Sequence, residues 1–472
     1  MRGSVWTIAE YLFNNLLRLV SNLVLAHALF PEAFAIVAYA SIVLQGLEML
    51  SDVGIGPAIV QSPRGDDPNF LNTAWTFQVV RGLILFLVTA LLGGPVAEFY
   101  NESQLLWIVP ACGLNFVITG FQSTAVYTCR RSLSVGRLAI WGTIEAVVKA
   151  TITIAWALLW PSIWALVGGA LISYTVGLVL THTILPGIRN RFCWDRDAAR
   201  ALMQFGGWIS VSTMMTFFSS QADRLILGKL VPMGIVGVYG IALMFARLPY
   251  EVGSRLAGIV LFPALAAVSR RDPQTLRAKL LELRDAILAF SQLGIVAVIV
   301  GSPWFFQFLY DARYSRAAGF APLLGGAIWF SILQASADRA LLALGDSRML
   351  AISNFANLVF TVAGCLVGYH LDQMRGFIVG VGLGNLSGHV VICWALDRRN
   401  LSILAQDLRY TGLVALGSFI ALAPPMLVPA LSTPVWKAAL AMMGVSISAF
   451  YAYRRLSTLG KGALRIFFRR PA

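Results

Sequence analysis

The stretch DAILAFSQLGIVAVIVGSPWFFQF (285–308) decides the fold. After Asp285 it carries no charged side chain through Phe308. A bilayer core of about 30 Å takes about 20 such residues as one α-helix, with every backbone polar group satisfied inside the segment. Thirteen further segments read the same way. With rough limits, the first seven of the fourteen are 6–29, 34–60, 75–95, 104–128, 137–159, 162–185 and 204–228. The rest are 233–256, 285–308, 317–343, 349–369, 374–396, 410–430 and 434–453. No alternation of period two runs through them, which excludes a β-barrel.

The composition agrees. Of 472 residues, 58% are hydrophobic and 12% charged, with a mean hydropathy of +0.75. Soluble domains carry about 25% charge, and a single core stops growing near about 250–300 residues. Lipid is the remaining solvent for that much apolar surface. A net charge of +14 raises nucleic acid as a partner, but the basic residues lie between apolar runs rather than on one soluble face. They report membrane topology instead.

With a cytoplasmic N-terminus, 25 of the 36 Lys and Arg fall in inside segments, 5 outside and 6 within spans. That asymmetry predicts both termini in the cytoplasm. Ala26-His27-Ala28 imitates a signal-peptide cleavage site, but Asn14, Asn15 and Arg18 interrupt the required apolar run, so a retained first helix is expected. The five cysteines form no C-x-x-C pair; Cys112 and Cys365 lie in apolar runs, Cys129 and Cys193 at cytoplasmic ends, and no disulfide framework is expected.

Two long inside connections, near 187–203 and 257–284, divide the chain. The second reads as an amphipathic surface helix, with Leu276, Leu280, Leu283 and Ile287 on one face and Arg277, Lys279 and Arg284 elsewhere. NLVLAHALFPEAFAIVAY (22–39) and DRLILGKLVPMGIVGVYG (223–240) align Leu29 with Leu230 and Pro31 with Pro232, an offset of 201. Tandem halves of one orientation are a transporter signature. The expected domains are residues 1–200, residues 201–397, and two additional helices with a basic tail over 398–472.

Ionisable side chains inside spans are costly and mark cavities or partners. Six basic residues fall there: Arg18, Arg81, Lys149, Arg224, Arg247 and Arg339. Glu10, Asn14, Arg18 and Asn22 recur every four residues, which stacks them on one helix stripe. Ser41, Gln45, Glu48 and Asp52 make a second stripe, and Ser212, Thr216, Ser219, Ser220, Asp223 and Arg224 a third. Glu145 with Lys149, and Arg247 with Glu251, are i,i+4 pairs; Gln334 and Asp338 share a face beside Arg339.

Any one pair is explained as packing glue between helices, and Arg81 and Arg255 lie near enough to cytoplasmic ends to snorkel. The set is better explained by a water-filled cavity. Arg18, Lys149, Arg224, Arg247 and Arg339 give it a cationic bias suited to a diphosphate, whose oxygens accept forked, charge-assisted hydrogen bonds. Asn14, Asn22, Gln45 and Gln334 are the expected polar lining. Glu48, Asp52, Glu145, Asp223, Glu251 and Asp338 pair with those bases or bind a coupling H⁺ or Na⁺; the sequence leaves both roles open.

Other chemistry is sparse. There is no P-loop. His27, His182, His370 and His389 have no metal-ligand spacing, so no metal, cofactor or catalytic residue is expected; His389 reads as a packing partner of Asn385, and Asp66-Asp67 as a solvated turn.

QADRLILGKL (221–230) followed by GVYGIALMFARLP (237–249) resembles the seventh-to-eighth helix region of bacterial polysaccharide transporters. LSDVGIGPAIVQ (50–61) with TAWTFQVVRGL (73–83) is similar to their second-to-third helix region, and LFPALAAVSR (261–270) and FLYDARYSRAAGFAPLL (308–324) match further along. The likeness reaches about residue 400. It points to the oligosaccharide flippase (Wzx-type, O-antigen) branch of the multidrug/oligosaccharidyl-lipid/polysaccharide (MOP) exporter superfamily.

That resemblance implies an all-α integral membrane protein of about fourteen transmembrane helices, two six-helix bundles in parallel repeat around a central cavity plus two C-terminal helices. It implies a non-enzymatic flippase of the bacterial inner membrane. Its passenger would be an undecaprenyl-diphosphate-linked oligosaccharide for O-antigen, capsule or exopolysaccharide synthesis, moved by alternating access. Polysaccharide polymerase and chain-length proteins are its implied partners besides membrane lipids. The competing readings are a cation-coupled small-molecule or multidrug antiporter of the same superfamily, and a lipid II flippase. A membrane glycosyl polymerase is disfavoured because no outside loop is long enough for a catalytic domain.

Overall fold

The computed structural model describes residues 2–51, 54–132, 134–271, 273–427 and 433–459, and every regular element among them is a helix. In chain order they are α1 (Arg2–Ala28), α2 (Pro31–Leu50), α3 (Ile55–Gln61), α4 (Pro68–Tyr100), α5 (Leu105–Gly120), α6 (Ala125–Arg131), α7 (Val135–Leu159) and α8 (Ile163–Thr183). They continue as α9 (Arg196–Leu230), α10 (Met233–Leu256), α11 (Phe262–Arg271), α12 (Leu276–Leu309), α13 (Ala317–Ala343), α14 (Ser347–Asp397), α15 (Leu404–Leu427) and α16 (Pro434–Leu459). Among the described residues eight helices are long and apolar enough to cross a membrane, nine if α5 and α6 form one bent span, beside the fourteen spans expected. One source of the difference is α14, whose 51 residues count once although its backbone leaves helical geometry at Asp372 and Gln373.

Local signals set the helix ends. Pro31 opens α2 and Pro68 opens α4, where a missing N–H costs nothing. The Asp67 carboxylate caps α4 by accepting from Asn69 N, and the Asp195 carboxylate caps α9 by accepting from Asp197 N and Ala198 N. Pro31 and Pro232, the pair matched in the repeat, each stand at the start of a helix: α2 in one case, α10 in the other.

The expected single span 104–128 is instead α5 and α6, bent by 61°. Carbonyls freed at such a break need partners in lipid. Gln78 Nε2 donates to Thr119 O (2.9 Å), Trp75 Nε1 to Phe121 O (3.3 Å), and the Asn190 carbonyl accepts from Ser123 Oγ and Thr124 N. A second departure concerns 257–284. A π-helical turn (Ala257–Leu261) leads into α11, and residues 276–284 are the first turns of the long α12 rather than a separate surface helix. Leu276, Leu280, Leu283 and Ile287 do share a face, but it is buried against Leu261, Leu265, Leu341 and Leu396.

Two compact units result. Unit 1 comprises Met1–Gln221 and Leu227–Gly237; unit 2 comprises Ala222–Ile226 and Val238–Ala472. In unit 1 small residues bring helices together: Gly169 packs on Thr153, Gly177 on Glu145, and Gly82 on the Phe116 carbonyl. Unit 2 repeats the device more strictly. The α14 arms fold back at Gln373, whose φ of 42° is strained for a residue with a Cβ. Gly376, Gly380, Gly384 and Gly388, spaced by four, then face Gly368, Gly364, Thr361 and Asn357 in turn. A Cβ at Gly364 would stand 3.0 Å from Gly380 Cα, backbone against backbone. Gly380→Leu therefore has no side chain to push aside. It is expected to cost about 3 kcal/mol or more, read as loss of monodisperse protein on detergent extraction, whereas Gly412→Leu, in open space, extracts normally.

Candidate functional site

Residues of the first two expected polar stripes and of the Glu145–Lys149 pair lie in unit 1, whereas Asp223 and Arg224 of the third belong to unit 2 and the side chain of Ser212 lies outside the described residues. On α2, Ser41, Gln45 and Glu48 are all exposed, while Ile36, Tyr39 and Ala40 of the same helix are buried; Asp52 lies outside the described residues. Arg18 on α1 is exposed and donates to Asn15 Oδ1 (3.0 Å). Asn14 and Asn22 are half-buried, and the buried Asn14 Oδ1 has no protein donor. On α7, Lys149 is exposed and feels both Glu145 and Arg18 electrostatically. Tyr174 on α8 is within the field of Glu145 and Glu48. Gln45 Oε1 accepts from Gln221 Nε2 of α9 at 2.7 Å. Thus α1, α2, α7, α8 and α9 each bring a polar side chain to this set.

Exposure carries the meaning here. Arg18 and Lys149 stand midway along apolar helices, where a guanidinium or an ammonium is costly in hydrocarbon and ordinarily faces a partner or an aqueous cavity. The local architecture supports it: Glu145 is pinned through its backbone, whose carbonyl accepts from Ser173 Oγ (2.8 Å), and its carboxylate packs on Gly177, where a Cβ would lie 2.8 Å from Oε2.

The candidates of unit 2 fall into separate places. Asp223 is buried and accepts from Tyr239 OH at 2.7 Å, a partner the sequence did not suggest, with Arg224 half-buried beside it. Arg247 lies 5.6 Å from the Tyr250 ring centroid, a cation–π contact; Glu251 is half-buried. Gln334 is buried and donates to Ser353 Oγ (3.0 Å), which donates to the Gly388 carbonyl. Asp338 Oδ1 and Arg339 Nε are buried without hydrogen-bond partners, their charges adjacent.

Sequence reasoning missed a buried and densely bonded arginine. Arg284, counted among loop cations, is completely buried on α12. It pairs with Asp407 Oδ1 of α15 (2.5 Å) and donates to Ser336 Oγ (2.8 Å), Leu333 O (3.2 Å) and Gln406 Oε1 (3.1 Å). Asp285, its neighbour, accepts from Tyr410 OH (2.9 Å) and Gln406 Nε2 (3.2 Å) and lies 3.6 Å from Arg455 of α16. His389 does not pair with Asn385. Its Nε2 lies 3.0 Å from Asp407 Oδ2, while Asn385 bonds Asn357 and the Ala327 carbonyl. His389, Cys393 and Asp407 bring three ligand-type atoms within 4.8 Å of one another. Arg284 already supplies a cation to that carboxylate, which is not the arrangement of a simple metal ligand set. Nor is it a nucleophilic triad: Cys393 Sγ (3.3 Å) and Asp407 meet the same ring nitrogen.

The loop ends of unit 1 form a further clasp. Arg64 Nη2 bonds both Asp67 and Asp195, each at 2.8 Å, and Arg131 Nε bonds Asp66 at 3.0 Å, so the Asp66-Asp67 turn is an anchored one. Arg64 above all, then the capped N–H of Asn69, holds Asp67 below the usual carboxylate range; Arg64, then the N–H groups of Ala198 and Asp197, does the same for Asp195. Depressed folded-state values mean stability that is complete above the unfolded values and lost as pH falls through the folded ones. A spin label at Arg191→Cys is expected to become mobile between about pH 5 and about pH 2. Adding Arg64→Ala should leave it mobile at neutral pH too.

Comparison with known proteins gives one family and one fold. A family model described as "Polysaccharide biosynthesis protein" matches residues 24–318. The chain is 24% identical over 400 residues to the succinoglycan biosynthesis transport protein ExoT of Rhizobium meliloti, covering 78% of each. It is 21% identical to the lipopolysaccharide biosynthesis protein WzxC of Escherichia coli, covering 66% of this chain and 63% of that one. Among solved structures, the lipid II flippase MurJ in an inward closed conformation superposes with a TM-score of 0.76 at 11% identity, over 96% of this chain and 99% of that one. An inward-facing multidrug resistance MATE transporter of the MOP superfamily gives 0.58 at 14%, over 83% and 96%. The fold is that of the MOP exporters.

Proposed function

This chain belongs to the polysaccharide biosynthesis protein family, and from that premise we propose that it flips an undecaprenyl-diphosphate-linked oligosaccharide across the bacterial cytoplasmic membrane. The carrying observation is the exposed pair Arg18 and Lys149, set midway along apolar helices among the carboxylates Glu145 and Glu48 on one unit. The diphosphate meets these cations by charge-assisted hydrogen bonds, the sugar lies over the amides of Gln45 and Asn22, and the polyprenyl tail stays in lipid. Alternating access then carries the head group outward, with both chain termini on the cytoplasmic side as the Lys and Arg distribution indicates.

The relatives' names favour this substrate class over the rivals: succinoglycan and lipopolysaccharide biosynthesis for two sequence relatives. A drug antiporter that attracts cations is a poor fit to exposed Arg18 and Lys149. Lipid II shares the diphosphate and the polyprenyl tail, and the likeness to MurJ at 11% identity is one of fold. The test is binding of purified protein to a polyprenyl-diphosphate oligosaccharide, its monophosphate counterpart and lipid II. Preference for the oligosaccharide diphosphate is the expected result; equal affinity for the monophosphate removes the cationic site from the account, and preference for lipid II changes the passenger.

A further inference from the structure

Two large aromatic rings stand bare on unit 1, outside the proposed head-group site. Phe192 is 66% exposed and Trp194 58%, and both belong to residues 186–195, the chain between α8 and α9. This segment has no regular structure of its own, yet it is tacked to α4 at alternate residues. Arg191 N donates to Asn72 Oδ1 (2.9 Å), Cys193 N to Thr76 Oγ1 (3.1 Å) and Asp195 N to Thr73 Oγ1 (3.0 Å). The rings are seated as well. Phe192 lies 4.9 Å from the Trp75 ring, and Trp194 stacks on Phe77 at 5.2 Å, centroid to centroid. Held by backbone and ring alike, the strap keeps its outer aromatic faces in fixed places.

Where they stand is set by α4, one of the helices long and apolar enough to span. Phe77 begins a stripe that continues at every third or fourth residue through Val80, Ile84, Leu87 and Leu91, all exposed. Such a stripe on a spanning helix faces acyl chains. From Phe77 to the exposed Phe99, near the far end of α4, the helix rises about 33 Å. That matches a hydrocarbon thickness of about 30 Å. Trp194, stacked on Phe77, therefore sits at one boundary of that layer, where aromatic side chains concentrate. It is the boundary that the Lys and Arg distribution assigns to the cytoplasm.

Charge completes the surface. Arg189, Arg191, Arg196 and Arg200 flank the rings and are exposed, and among the described residues none of their guanidinium groups has a carboxylate or hydrogen-bond partner. Of the two acids in 186–200, Asp195 is bonded to Arg64 at 2.8 Å, and Asp197 alone is exposed. We propose that residues 186–200 anchor anionic phospholipids of the cytoplasmic leaflet, with Phe192 and Trp194 at the acyl boundary and the four arginines on the headgroup phosphates. Rings at the boundary with cations beside them match both layers of such a lipid, whereas an acidic soluble partner matches the charges alone. Because Asp195 at the end of the strap caps α9, the bound lipid also fixes the start of α9 at the membrane surface. The anchor is independent of what the transporter carries.

Trp194 itself reports the lipid beside it. Full-length protein is reconstituted in phosphatidylcholine vesicles holding roughly one phosphatidylglycerol in twenty lipids. Bromine, a tryptophan quencher, is placed on the acyl chains of one lipid or of the other. The Trp194 contribution is the difference between wild type and Trp194→Phe, a change that keeps an aromatic ring in place. Per brominated molecule, phosphatidylglycerol is expected to quench Trp194 at least about fivefold more than phosphatidylcholine, the factor that one basic group near the surface supplies. The ratio should fall toward one in the Arg189→Gln, Arg191→Gln, Arg196→Gln triple variant, and for wild type in about 1 M salt. The salt arm needs no substitution, so it decides even where the variant folds poorly. Equal quenching by both lipids in wild type, or a ratio that the triple variant or salt leaves unchanged, overturns the proposal. Quenching by neither lipid overturns it too, and makes the strap a surface for a soluble acidic partner instead.

Discussion

Arg284→Ala is expected to destabilise unit 2 by about 3–5 kcal/mol, which for a protein of ordinary marginal stability is close to unfolding it. The reason lies in what is left behind. Asp407, itself buried, would lose its cation; Ser336, Gln406 and the Leu333 carbonyl would lose a donor in the same step. Losing one member of a buried pair costs far more than losing both, because the stranded charge cannot be resolvated. The double replacement Arg284→Met with Asp407→Leu is therefore expected to recover most of the loss. Thermal unfolding of detergent-purified protein reads both, and a double variant as unstable as Arg284→Ala would show that the arginine acts by packing rather than by charge.

The second large effect is on transport. Replacing Arg18 or Lys149 by alanine is expected to slow flipping about ten- to hundredfold each, since a hydrogen bond to a charged group is worth about 1.5–3 kcal/mol. Both side chains are exposed and lie in one electrostatic neighbourhood, so the double variant should retain stability while losing nearly all movement. Because the two cations act on one ligand, their effects should not simply add. Lys149→Arg should keep more activity than Lys149→Ala, as a guanidinium still supplies charge and donors.

The sequence made some of this legible and hid the rest for physical reasons. Period-four recurrence showed which residues share a helix face, and the exposed stripe Ser41, Gln45, Glu48 on α2 is that pattern realised. Prolines 31 and 232 marked helix starts because a missing N–H is harmless there. A face, however, does not say which neighbour it meets. Arg284 looked like a loop cation because it precedes the apolar run; its fate depended on Asp407, more than a hundred residues away, arriving from α15. His389 was matched to Asn385 by spacing along one helix, whereas the bond that forms crosses to the next. Tyr239 gave no signal as a partner for Asp223, since a tyrosine in an apolar run reads as packing. The glycines at 376, 380, 384 and 388 were a readable signal, a small residue every fourth position, and they carry the close approach of the α14 arms.

Transbilayer movement of a fluorescent undecaprenyl-diphosphate oligosaccharide in proteoliposomes tests the central claim most directly. The account predicts movement by wild type, strongly slowed movement by the folded Arg18→Ala, Lys149→Ala double variant, and none in protein-free vesicles. No movement by wild type, with ion-driven export of a soluble cationic compound instead, would contradict it and identify an antiporter on the same fold.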